Sequence, residues 1–151
     1  MSACENEYKT RAWVVFSGQT DLRWLGVLKA GYRHCYVLLH DGRHWVSVDP
    51  LSNYMEVRVH HVPPDFDLPL WLADRGHRVM AAPMDHSSRR AAPFMLFSCV
   101  EAVKRVLGIR SRWIVTPWQL CRYLERFGKE ASPDGVFCFN PLNQGDLSWE
   151  V

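Results

Sequence analysis

The chain has 151 residues, of which 48% are apolar, 13% aromatic and 23% charged, with 18 Lys and Arg against 16 Asp and Glu. These proportions exclude a mainly disordered, collagenous or coiled-coil chain, and the length suits a single domain over residues 1–151. A formal net charge of +2 falls short of the clustered basic face that nucleic-acid binding requires, so no nucleic-acid partner is expected.

No run approaches the roughly 18 apolar residues of a membrane span, and no membrane partner is expected. Residues 1–10 (MSACENEYKT) form a polar tail with no apolar signal segment, which predicts a cytoplasmic chain. The five cysteines, Cys4, Cys35, Cys99, Cys121 and Cys138, are odd in number and contain no C-x-x-C pair. They read as reduced thiols.

In chain order, residues 12–16 (AWVVF) are a short apolar strand and residues 17–19 (SGQ) a turn. Residues 21–29 fit either a helix or a loop. Residues 34–40 (HCYVLLH) and 43–49 (RHWVSVD) flank Asp41-Gly42, the dipeptide that favours a tight β-hairpin. Pro50 ends the second strand, and residues 54–60 (YMEVRVH) alternate as a half-buried third, completing a meander. A short helical piece over residues 70–74 and a strand over 78–82 follow. Residues 83–93, rich in Pro, Ser and Arg, are an exposed loop, and Arg89-Arg90 within it a solvated pair.

Two helices carry complete end signals. Ser98-Cys99-Val100-Glu101 is a capping box, with Gly108 as the stop; Val100, Val103, Val106 and Leu107 form the apolar stripe. Thr116-Pro117-Trp118-Gln119 is a second box, with Pro at the first helical position and an end at Gly128. Its stripe is Leu120, Tyr123, Leu124 and Phe127. The segment 129–151 is turn-rich, with one candidate strand over residues 136–139. The fold class is therefore α+β: an antiparallel meander sheet packed on two or three helices. Seven Trp should mostly be core, with one or two left to line a groove or a protein interface.

The capping box puts Cys99 at the first helical position, where unpaired N–H groups and the positive end of the helix favour a thiolate. That effect is about 0.3–1 kcal/mol, under one pKa unit, so an activated thiol also needs an imidazole. A two-residue loop at Asp41-Gly42 pairs Leu38 with Trp45, Tyr36 with Ser47, and His34 with Asp49. Imidazole and carboxylate then stand opposite each other, one ring nitrogen held and the other free for sulfur. The plainer alternatives are a surface His-Asp contact and a buried structural thiol. Cys35 faces away from His34, Cys121 lies within a helix, Cys138 between two Phe and Cys4 in the tail; these read as core or bystander thiols.

The order His34 on a strand, Asp49 on the next, then Cys99 opening a helix resembles the circularly permuted branch of the papain-like cysteine hydrolases, which includes NlpC/P60-type enzymes. The resemblance implies a sheet that precedes its nucleophile helix, with Cys99 as nucleophile, His34 as base then acid, and Asp49 orienting the ring. It implies thiol-dependent cleavage of a peptide or cell-wall amide. The stretches GYRHCYVLLHDGRHWVSVDPLSNYMEVRV, SCVEAVKRVLGI and TPWQLCRYL are also similar to small bacteriophage and prophage proteins. This implies a virion-associated place, a peptide or protein substrate and phage structural proteins as partners. A virion or tail component without turnover is the competing reading.

No cofactor and no metal is expected. On the same register His44 faces away from His34 and His40, while His60 and His61 point opposite ways, so no ligand set of known spacing forms.

Overall fold

The computed structural model describes residues 10–18, 28–51, 53–85, 97–130 and 138–139. Among the expectations above, those for residues 1–9 and 21–27, most of the 83–93 loop, Cys4, Trp24, Trp149 and Arg89-Arg90 lie outside these residues. The architecture is α+β, as expected. Strands β1 (Arg11–Ser17), β2 (His34–His40), β3 (Trp45–Pro50) and β4 (Met55–His60) are followed by helix α1 (Leu68–Ala73) and strand β5 (Arg78–Ala82). Helices α2 (Cys99–Leu107) and α3 (Pro117–Glu130) and the two-residue strand β6 (Cys138–Phe139) complete the order. The strands make one open sheet in the order β4-β3-β2-β1-β5-β6, and each neighbouring pair is antiparallel.

Helices cover both faces of this sheet. Val14, Phe16, Cys35, Val37 and Met80 pack with Val100, Val103 and Leu107 of α2 and Leu120, Cys121 and Leu124 of α3. On the other side Val15, Leu38, Trp45 and Val79 pack with Leu68, Leu72 and Ala73 of α1. This double cover explains why β1 reads as a continuous apolar run: Val14, Val15 and Phe16 point to alternate faces and all three are buried. Burying each such side chain contributes about 1.5–3 kcal/mol before chain entropy is charged against it.

Helix ends follow the sequence signals closely. The N–H of Glu101 donates to Ser98 Oγ at 3.2 Å, and Gly108 closes α2 in the left-handed conformation, with φ of 80°. At α3 the capping box is reciprocal: Gln119 N–H donates to Thr116 Oγ1 at 3.2 Å and Thr116 N–H to Gln119 Oε1 at 3.0 Å. The helix continues through Gly128 to Glu130, two residues beyond the expected stop. Helix α1 starts earlier than expected, because Asp67 accepts the Leu70 N–H at 2.9 Å and caps a first turn containing Pro69.

Three further expectations are corrected. The hairpin loop has four residues, not two: His40 pairs with Trp45 and Leu38 with Ser47. Asp41 explains it, since Oδ1 accepts the N–H groups of both Arg43 and His44 at 2.7 Å and so folds those residues into the turn. His44 therefore lies in the loop and not on a strand face. Second, Met55, Val57 and Val59 of β4 are exposed, because β4 ends the sheet and α2 packs over β2 and β3. Third, Trp45 is the single fully buried tryptophan among the described residues; Trp71, Trp113 and Trp118 are exposed. Guanidinium and ammonium groups account for two of these, Arg75 over the Trp71 ring at 3.5 Å and Lys29 over Trp118 at 4.6 Å.

Candidate active site

Cys99 is the first residue of α2, and α2 lies across β2. Its side chain is half-buried and packs on the helix-side core. His34 is the first residue of β2, so its ring sits at the strand's end, where Asp49 and the Cys99 thiol both act on its charge. His34 Nε2 meets Asp49 Oδ1 of β3 at 2.6 Å, which leaves Nδ1 as the nitrogen for sulfur. His34 and Asp49 are thus in contact, and Cys99 opens the helix that lies across the strand bearing His34.

The route to this arrangement differs from the one expected. Extending the observed register sets Asp49 across from Tyr36, so His34 and Asp49 are diagonal neighbours and not directly opposed. The slip is two residues, and side-chain direction in a strand repeats every two, so both groups keep the same face. A diagonal step of about 7–8 Å is within reach of an imidazole and a carboxylate. The Tyr36 ring stacks beside His34 at 6.4 Å between centroids. Burial first, and the nearby Asp49 charge second, push the Tyr36 hydroxyl up to about 12.

Burial alone would lower the pKa of His34. Its hydrogen bond to Asp49, then that to Cys99, outweigh burial and raise it to about 9. The Cys99 thiol is lowered to about 5, chiefly by a hydrogen bond from the Cys35 side chain; burial opposes this, and the hydrogen bond and charge of His34 reinforce it. The Cys35 backbone N–H adds a further donor. A drop of this size exceeds what a helix N-terminus supplies by itself. The two shifts run in the same sense, the thiol down and the imidazole up, and favour a thiolate beside an imidazolium.

Cys35 is the participant that sequence reasoning missed. It does face away from His34, as alternation requires, but that is the face on which α2 and Cys99 lie. Its thiol is fully buried, and burial first, the Cys99 contact second, hold it well above the usual range. The sequence carries no local signal for it, because helices cover both faces of the sheet and only the packing of α2 decides which face Cys99 meets.

Other groups stand apart from this cluster. Cys121 is buried in α3 against Met80, Tyr32 and Glu125. A cavity of about 360 Å³ is lined by Leu28, Lys29, Tyr32, Thr116 and Trp118, and by none of the three site residues. His60 donates to or accepts from Ser47 Oγ at 3.0 Å, and His40 packs on Trp45 with ring centroids 4.4 Å apart. Among the described residues no three His, Cys, Asp or Glu side chains converge to hold a metal ion, and no helix is long and apolar enough to cross a membrane.

Compared with protein-family models, curated proteins and solved structures, the chain matches none of them.

Proposed function

We propose that this chain is a cysteine-dependent hydrolase acting on a peptide or cell-wall amide bond, with the permuted papain-like order of sheet before nucleophile helix. The observation that carries the reading is the His34 ring, held through Nε2 by Asp49 at 2.6 Å and set where its charge helps to lower the Cys99 thiol. The Cys99 thiolate attacks the amide carbonyl carbon, and the backbone N–H of Cys99, at the start of α2, is placed to donate to the oxyanion. The His34 imidazolium gives its proton to the departing amine as the C–N bond breaks, leaving a thioester. His34, now neutral, takes a proton from water, whose oxygen attacks the thioester carbon and releases the acid and the thiolate. Asp49 is a positioning residue throughout: it fixes the ring and stabilises its charged form.

The test is thiol mapping with amide cleavage. At pH 6.5 iodoacetamide is expected to alkylate Cys99 well before the other four cysteines. Cleavage of muropeptides or of a denatured-protein substrate is expected to fall at least about 10⁴-fold in a folded Cys99→Ala variant. Equal labelling of all accessible thiols, or cleavage retained in Cys99→Ala, refutes the reading.

One observation favours a second reading, a non-catalytic virion or tail component. Trp113 is 87% exposed, and large exposed aromatic side chains are enriched where proteins bind one another. A stoichiometric complex with a phage structural protein that survives Cys99→Ser would select this alternative.

A further inference from the structure

β4 is the outer strand of the sheet, with β3 on one side and no strand on the other among the described residues. Its outward row of backbone N–H and C=O groups is therefore a template for a further strand. Edges of this kind are commonly blunted by lysine, proline or a bulge. β4 has neither lysine nor proline, and its pairing with β3 runs without a break from Met55 to His60. Its apolar side chains are open as well: Met55 is 43% exposed, Val57 63% and Val59 47%. These three share the α2 face of the sheet, since Val57 pairs with Val48 and Val48 with Val37 of the α2-side core. Glu56 and Arg58 take the opposite face, across from Asp49 and Ser47.

We propose that β4 pairs antiparallel with β4 of a second copy of this chain, about a two-fold axis through Val57 that joins the two sheets edge to edge. Charge selects the register. A two-fold axis that makes neighbouring edge strands antiparallel stands perpendicular to the sheet and keeps every residue on its own face, so it passes through one residue position. With the axis at Val57, Glu56 lies opposite the partner's Arg58, Met55 opposite the partner's Val59, and Tyr54 opposite the partner's His60. Each of these pairs occurs twice, because the interface is self-complementary. An axis at Glu56 would set two carboxylates together, and an axis at Arg58 two guanidinium groups; like charges directly opposed are unfavourable. Shifting the axis further along shortens the overlap. Val57 is thus the centre that matches unlike charges and apolar neighbours along the strand.

The pairing also relieves an acid pair inside each chain. Asp49 and Glu56 are directly opposed between β3 and β4, and Arg58 of the same chain pairs with Glu56 at 2.7 Å. The partner's Arg58 adds a second cation on the open side of Glu56, one strand away from the Asp49 that holds His34. The seam is short. Six residues span about 20 Å, less than a standard interface provides, so the dimer is expected to be half-dissociated at about 10 μM.

Sedimentation equilibrium of the whole reduced chain from about 1 to 100 μM is expected to show the mass rising from 17.6 kDa towards twice that value. Glu56→Arg sets arginines against each other at both ends of the seam and is expected to weaken association at least about tenfold. The charge swap, Glu56→Arg with Arg58→Glu, returns each cation to an acid and is expected to restore the native dissociation constant to within about threefold. Val57→Lys places two ammonium groups at the axis and is expected to leave monomer throughout. Val57 and Arg58 are exposed and Glu56 is half-exposed, and circular dichroism checks that each variant keeps the native fold. A native chain at the monomer mass across the whole range overturns the proposal and leaves the edge to a strand of a different protein. A dimer unmoved by Val57→Lys and Glu56→Arg, or one weakened by Glu56→Arg and not restored by the swap, overturns it as well.

Discussion

Replacing Asp49 by Asn tests whether the carboxylate sets the charge state of the site. The side chain keeps its shape and an oxygen for the Nε2–H of His34, but loses its charge. The contact is 2.6 Å long, and the two side chains are only 20% and 24% exposed, so water screens it partially. A charge-assisted hydrogen bond of this kind is worth about 1.5–3 kcal/mol, or about one to two pKa units. His34, raised to about 9 in the native protein, is therefore expected to titrate about one to two units lower in Asp49→Asn. NMR titration of the imidazole ring in both proteins reads this directly. The sign for stability follows from a pKa raised above its ordinary 6.5: the contribution is complete below pH 6.5 and lost as pH climbs through about 9. Urea unfolding should then show a larger penalty for Asp49→Asn at pH 6 than at pH 10. A His34 ring that titrates near 6.5 in the native chain, or at one pH in both proteins, refutes the reasoning.

Two substitutions away from the site test the scaffold that holds it. Lys104, 1% exposed, pairs with the Glu101 carboxylate at 2.7 Å and donates to the Ile114 carbonyl at 3.1 Å, tying α2 to the segment before α3. Lys104→Met strands a buried carboxylate that retains only the Arg105 contact at 3.2 Å, and is expected to cost about 3–5 kcal/mol in urea unfolding. The paired change Glu101→Leu with Lys104→Met should recover more than half of that. At Gly108, φ is +80° and a Cβ would lie 1.8 Å from the Asp85 carbonyl oxygen. Gly108→Ala is therefore expected to lower stability by about 3 kcal/mol or more, through strain and forced separation of backbone; a thermal midpoint within 2 °C of the parent would contradict this.

What was legible in the sequence was mostly local. Ser98, Gly108 and the Thr116–Gln119 pair act on neighbours four residues away or fewer, so their consequences can be read without knowing the fold. Asp41 marks the limit: the Asp-Gly pair announces a hairpin, but the same carboxylate also captures two later N–H groups and lengthens the turn. The lateral placement of β1 between β2 and β5 was not legible, because strand alternation says which face a residue takes and nothing about which strand lies beside it. Exposure of Val57 and Val59 was hidden for the same reason: their pattern is that of a covered strand, and only the reach of α2 decides otherwise. The tryptophans misled because an indole over a cation is satisfied at the surface. At the site, the nearness of His34 and Asp49 follows from strand alternation although the loop length was misread, while the part of Cys35 required knowing which layer carries α2.

The hairpin between β2 and β3 behaves as a counter with a parity bit. A two-residue slip of β3 that paired His40 with Arg43 would restore a two-residue turn, bring His34 directly opposite Asp49 and leave both on the face they now share. A slip of one residue would instead invert every side chain of β3, sending Asp49 to the far side and Val46 and Val48 where Ser47 and Asp49 stand. Slippage of this hairpin is therefore tolerable in even steps and ruinous in odd ones, a constraint imposed by pleat geometry on which descendants of this chain keep a charged imidazole.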